Sequence, residues 1–141
     1  MTAVALALTA FLGRPTDALE LTAVEKANAR VVTDFCAAAA TRDVEKMLPF
    51  LATDVVYRMT ETTPPITGKD AVAAAIRKFL QSAERVEFKV LDTTATGPIV
   101  INHRIDSFVS KQPVKWEGTG VFFVKDGTIK EWSDYTIRME R

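Results

Sequence analysis

The sequence predicts an α+β domain, helices first and a curved sheet after them. Two observations carry this. Between Thr22 and Leu80 apolar residues recur mainly at helical spacing, with one strand-like interruption. From Arg85 onward they recur at every second position, the period of a strand. Breaks at Gly97-Pro98, Lys111-Gln112-Pro113 and Lys125-Asp126-Gly127 leave strands near 85–95, 99–110, 114–124 and 128–138. Segregated helices and an antiparallel meander make an α+β fold. A strongly curved mixed sheet wrapped around the helices would enclose one deep pocket.

The elements follow in order. Ala3 to Leu12 is a short apolar run without a preceding charge, and Arg14-Pro15 follow it where a cleavage site would have small residues. It is too short to span a membrane. Residues 1–21 are therefore expected to be an N-terminal extension or arm, with a cleaved export signal as the alternative, residues 22–141 the folded domain, and the protein cytoplasmic. Thr22-Ala23-Val24-Glu25 is a capping box, in which threonine and glutamate satisfy each other's free backbone N–H groups. Behind it Val24, Asn28, Val31, Val32, Phe35 and Ala39 share one helical face, and the helix should end near Thr41. Asp43 is placed to cap a second short helix burying Val44, Met47, Leu48 and Leu51, its length limited by Pro49. Val55 to Met59 reads as a strand with Val55, Tyr57 and Met59 on one face and Arg58 on the other. Thr60 to Thr67 is a loop extended by Pro64-Pro65. Gly68-Lys69-Asp70 leads into a third helix with Val72, Ile76, Phe79 and Leu80 as its apolar stripe. Asp126-Gly127 is a hairpin turn, because both of its central positions favour positive φ.

Composition excludes several classes of function. The chain has 141 residues, enough for one domain, and is 48% hydrophobic, enough for a core. Lys+Arg and Asp+Glu balance at 18 each, with no basic stripe, which argues against nucleic-acid and membrane partners. A single cysteine, Cys36, and a single histidine, His103, allow no disulfide framework and no multi-histidine metal site. Cys36 is expected to be a small core residue and His103 a hydrogen-bonded core or interface residue. No G-x-S-x-G elbow, P-loop or G-x-G-x-x-G is present, and no cofactor is expected. Gly118-Thr119-Gly120 has no helix after it and marks a bend or a patch of pocket wall.

The chemistry concentrates in two strands. In Val100 to Phe108 one face carries Asn102, Arg104, Asp106 and Phe108, and the other Ile101, His103 and Ile105. The strand alone suggests burial of the isoleucine face. A pocket under a curled sheet would instead bury Arg104 and Asp106. In the last strand Trp132, Asp134 and Thr136 share a face, offering a second carboxylate from another direction. Two carboxylates flanking one arginine form an acid/base device. Arginine stays charged and can bridge both, so one carboxyl can hold a proton to donate while the other accepts one. The same three residues also suit an ion-pair network that only fixes geometry.

Taken together, these pieces resemble the limonene-1,2-epoxide hydrolase family, within the NTF2-like, SnoaL-like cone fold. The resemblance rests on Val55-Val56-Tyr57, the Pro64-Pro65 loop, Gly68-Lys69-Asp70-Ala71-Val72, Arg104-Ile105-Asp106, Gly120-Val121-Phe122, and Asp126-Gly127 with Ile129 through Trp132 to Asp134-Tyr135. It spans about Thr22 to Thr136. It implies cofactor-independent hydrolysis of a small apolar epoxide to a vicinal diol, in one concerted step. Asp134 would be the base, Asp106 the acid, Arg104 the bridge and Tyr57 a ligand of the attacking water. The family's water-holding asparagine is replaced by Met59, and Thr60 or Thr62 could stand in for it. Met59, Ile76, Phe79, Leu80, Phe108, Trp116 and Thr136 are the expected substrate-binding residues. The outer face of the Ile101 strand is apolar enough to suggest a homodimer. Two other activities suit the same residues: a proton-shifting isomerase using Tyr57 and Asp106, and a small-molecule binder without catalysis.

Overall fold

The structure, a computed structural model, describes residues 20–140, so the expected N-terminal arm lies almost wholly outside the described residues. Helix α1 spans Ala23–Ala40, with the capping box at its start: the Thr22 hydroxyl accepts from the Glu25 backbone, and the Glu25 carboxylate accepts from the Thr22 backbone. The same glutamate accepts from the Gly97 backbone at 2.8 Å. Asn28 donates to the Gly97 carbonyl at 2.9 Å. These two bonds pin the start of α1 over a sheet hairpin. Val32, Phe35 and Ala39 are buried as expected, whereas Val24 in the first turn is exposed.

The expected second helix is instead two 3₁₀ turns, Val44–Lys46 and Leu48–Phe50. Asp43 caps the first, and Pro49 leaves the second without the backbone N–H needed to continue an α-helix. Leu51 opens strand β1, Leu51–Arg58, with Leu51, Val55 and Tyr57 buried. Met59 lies one residue past the strand. A two-residue strand β2, Ile66–Thr67, forms inside the expected loop. It is followed by α2, Lys69–Gln81, which buries Val72, Ala73, Ile76 and Leu80.

Strands β3 (Arg85–Thr96), β4 (Ile99–Val109), β5 (Val114–Lys125) and β6 (Thr128–Glu140) form the antiparallel meander. The sheet order is β2-β1-β6-β5-β4-β3, with β1 parallel to β6 and every other pair antiparallel. The mixed, curved α+β sheet expected from the sequence is therefore present. Irregularities in register fall between Val90 and Asp92, Glu117 and Gly118, and Phe123 and Val124, and such bulges bend and twist strands. The concave side is covered by α1, where Phe35 sits edge-on to Phe122 at 6.2 Å and Trp132 at 5.0 Å.

Strand β4 corrects the expectation drawn from its alternation alone. Its polar face is the buried one: Asn102, Arg104 and Asp106 are at most 4% exposed, while Ile101 on the other face is 42% exposed. The helices cover the polar side, and every charge there has a partner, which is the condition for burying charge. His103 points outward and pairs with Glu117 at 2.9 Å.

The Asp126-Gly127 turn has φ of 52° and 72° at its two residues. Gly127→Ala should destabilise the fold by about 1 kcal/mol, because a Cβ at positive φ clashes with the following carbonyl. Urea unfolding checks this, and an unchanged midpoint would contradict the left-handed turn.

Candidate active site

Arg104 is the centre of the site. It projects from β4 into the concave side of the sheet and is 4% exposed. Its Nε donates to both oxygens of Asp106, two residues along the same strand face, at 3.0 and 3.1 Å. Its Nη2 donates to Asp134 Oδ1 on β6 at 2.6 Å. Its Nη1 approaches Asn102 Oδ1 at 3.4 Å. Asn102 is itself fully buried and donates to the Thr93 hydroxyl on β3 at 2.7 Å. The guanidinium is thus held on three sides. Gly120 on β5 makes room for it, because a Cβ there would lie 2.5 Å from Nη1 and 2.6 Å from the Phe122 ring.

The charge balance is decisive. One buried cation faces the buried Asp106 and the part-buried Asp134, so the cluster is neutral only with one carboxyl protonated. Burial pushes the Asp106 pKa up from 3.8 to about 6, against the pull of Arg104; the Asp134 charge adds to the rise. Burial also raises Asp134, again opposed by Arg104. Burial alone would weaken the Arg104 charge, but Asp134 and Asp106 outweigh it and hold the guanidinium firmly protonated. Trp116 donates its indole N–H to Asp106 Oδ2 at 3.0 Å. The Trp132 N–H is buried without a well-formed partner, close enough to Asp134 to favour its ionised form. Tyr57 stacks on Trp132 at 3.9 Å and, through burial and the nearby Asp134 charge, keeps its hydroxyl proton.

These groups line a cavity with two lobes. The inner lobe, about 50 Å³, reaches Phe35, Met47 and Phe122; the outer, about 220 Å³, opens beside Tyr135, Thr136 and Met139. Of the residues expected from the sequence, Tyr57, Arg104, Asp106, Asp134, Ile76, Phe79, Leu80, Phe108, Trp116 and Met59 border the inner lobe, and Thr136 the outer. Thr60 borders the outer lobe and is tied to Thr63, while Thr62 is exposed and borders neither lobe. Sequence reasoning missed Asn102, whose signal was an amide on the Arg104 face. It also missed Phe88, Cys36 and the neighbouring core aromatics as wall. Cys36 is core as expected, but its thiol also approaches Asn102 Oδ1 at 3.7 Å, and burial pushes its pKa up to about 11. Among the described residues no group of His, Cys, Asp and Glu is arranged to hold a metal ion.

The raised carboxyl pKa predicts a pH dependence of stability. Asp106 binds its proton more tightly folded than unfolded, so its stabilising contribution is complete below the ordinary value of 3.8 and is lost as pH rises through about 6. Asp134 acts in the same direction. The stability of wild type relative to Asp106→Asn should therefore fall as pH rises from about 4 to about 7. Chemical denaturation across that range measures it, and a constant difference would mean that Asp106 titrates as an ordinary carboxylate.

The comparisons with known proteins agree with this architecture. A family model, the SnoaL-like domain, matches residues 32–132. No curated protein matches the sequence. Among solved structures, an LEH-like epoxide hydrolase from M. tuberculosis superposes with a TM-score of 0.72 at 28% identity, over 79% of this chain and 84% of that one. A protein provisionally assigned as a SnoaL-like polyketide cyclase, from Jannaschia sp. CCS1, gives 0.75 at 14% identity over 84% and 90%. One provisionally assigned as a ketosteroid isomerase, from Kribbella flavida, gives 0.68 at 19% identity over 83% and 82%. The last two share the fold at identities too low to carry chemistry. With the model matching most of the chain, and a curved sheet around helices beneath it, the protein belongs to the SnoaL-like domain family, of the NTF2-like cone fold.

Proposed function

We propose that the protein hydrolyses a small apolar epoxide to a vicinal diol, using water as the nucleophile and no cofactor. The observation that carries this is Arg104 bonded at once to Asp106 and Asp134 in an apolar cavity. Asp134, ionised, takes a proton from a water oriented by Tyr57. The water oxygen bonds to one epoxide carbon as that carbon's bond to the ring oxygen breaks. Asp106, protonated, gives its proton to the ring oxygen. Each product hydroxyl is then neutral, and the proton on Asp134 returns to Asp106 through solvent. The pKa of Asp106 near 6 suits a group that must hold a proton close to neutral pH and release it. The likeness to the M. tuberculosis LEH-like epoxide hydrolase supports the same reaction. An isomerase needs one base and one neutral donor, and leaves the bond from Arg104 to a second carboxylate without a purpose. The exposed Ile99 and Ile101 on the outer face of the sheet support a homodimer formed through that face.

The test is incubation with cyclic and acyclic epoxides in ¹⁸O-labelled water. The label should appear in one hydroxyl of a diol; isomerised product without label would sink the hydrolase reading. Asp106→Asn and Asp134→Asn should each lower turnover by ~10²–10⁴-fold, since neither amide exchanges the proton. Near-normal turnover in either would remove that residue from the mechanism. Arg104→Lys keeps the charge but loses the planar fork that reaches both carboxylates and Asn102 at once. Its rate should fall by ~10²-fold, as expected when reacting groups shift by about 1 Å. A lysine variant with normal rates would reduce Arg104 to a counter-charge. Met59 borders the cavity beside Tyr57 and Asp134. Met59→Asn would add an amide partner for the water and should raise diol formation or leave it unchanged. Impaired turnover in Met59→Asn would place the water elsewhere.

A further inference from the structure

The two lobes of the cavity meet at a neck formed by Met59, Phe79, Arg104, Trp116 and Asp134, the residues that border both. Asp106 and Tyr57 border the inner lobe only. The reacting atoms must touch Asp106 on one side and a water near Tyr57 and Asp134 on the other. They therefore lie at the inner side of the neck. The inner lobe offers about 50 Å³. An apolar cavity that takes up benzene measures about 150 Å³, so the inner lobe is too small for a ring or a branched group beside the epoxide and its water.

The inner walls do not yield easily. Phe35, Met47 and Phe122 are each at most 2% exposed and belong to the packed core, so widening the lobe would mean displacing core side chains. The outer lobe is different. It offers about 220 Å³, is bordered by the exposed Tyr135 and Met139, and opens to solvent. Its walls are mainly apolar, from Met59, Phe79, Trp116 and Met139, with threonine hydroxyls at the rim.

Resting on the hydrolase reading, we infer that the substrate is an unsymmetrical epoxide, with one carbon bare or carrying a short substituent and the other carrying a long, mainly apolar group that runs out through the neck. A terminal 1,2-epoxide with an alkyl or arylalkyl tail fits this description. An epoxide with a bulky group on each carbon does not, because one of the two groups would have to enter the narrow inner lobe.

The test compares kcat/KM for 1,2-epoxybutane, 1,2-epoxyoctane and stilbene oxide. Each added methylene in an apolar site gains up to ~4-fold, so 1,2-epoxyoctane should exceed 1,2-epoxybutane by ~10–10²-fold. Stilbene oxide should fall ~10²-fold or more below 1,2-epoxyoctane, the upper end of what packing mismatch gives in an apolar pocket. Thr136→Trp, at the exposed rim of the outer lobe, should lower the octane-to-butane ratio by ~10-fold. Stilbene oxide turned over as fast as 1,2-epoxyoctane, or a ratio unchanged by Thr136→Trp, overturns the inference. If no epoxide is hydrolysed, the hydrolase reading fails, and calorimetry on the wild-type protein decides the shape of the site separately. Binding of 1,2-octanediol ~10-fold tighter than hydrobenzoin upholds the two-lobe assignment, and equal or reversed affinity refutes it.

Discussion

The bond from Arg104 across the sheet to Asp134 is the interaction on which the rest depends. It joins two strands separated by β5, so it can form only if β4, β5 and β6 are in register and curved toward each other. The register sets Arg104 opposite Gly118, Asn102 opposite Gly120, and Gly120 opposite Asp134. A glycine at position 120 leaves the space through which the guanidinium reaches the next strand. With any side chain there, the arginine would be displaced from Asp134 or the Phe122 ring from the core. Backbone geometry and site chemistry are in this sense one constraint.

Burying a cation with two carboxylates is costly unless each group is paired and hydrogen-bonded. Here Asp106 receives three hydrogen bonds, from Arg104 Nε to both oxygens and from Trp116, and Asp134 receives the short bond from Nη2. Asn102 contributes an uncharged acceptor, which holds the arginine without adding a third negative charge. With one cation between two carboxyls, burial raises the proton affinity of both Asp106 and Asp134. The apolar wall works in the same direction. Phe108 stacks on Trp116 at 4.7 Å, and Phe88 lies beside the guanidinium at 5.9 Å, so little water competes with the charge-charge contacts.

The parallel pairing of β1 with β6 completes the site. It sets Tyr57 opposite Trp132, two residues from Asp134, and the stacked rings hold the tyrosine in the inner lobe. Met59, just beyond the end of β1, then falls at the neck between the lobes. A flexible thioether at that place adds apolar wall and no strong hydrogen bond. The position where the family resemblance implies a polar water ligand has become part of the apolar wall.

Local chemistry was enough to read much of the chain. The capping box at Thr22 and Glu25, the Asp126-Gly127 turn and the four strands of the meander depend on neighbours in sequence, and their limits in the structure fall within about two residues of those expected. The pairing of Arg104, Asp106 and Asp134 was also legible, because alternation put each on a definite face. What alternation could not say was which face of β4 is buried. That depended on α1 covering the concave side and on a partner for every charge, both supplied by residues far away in sequence. The two 3₁₀ turns in place of a helix, the contact of Arg104 with Asn102, itself bonded to Thr93, and the two lobes of the cavity are likewise products of packing. A sequence specifies a strand's period from its own residues; the depth, charge state and shape of a pocket belong to contacts between strands, and only the tertiary structure decides those.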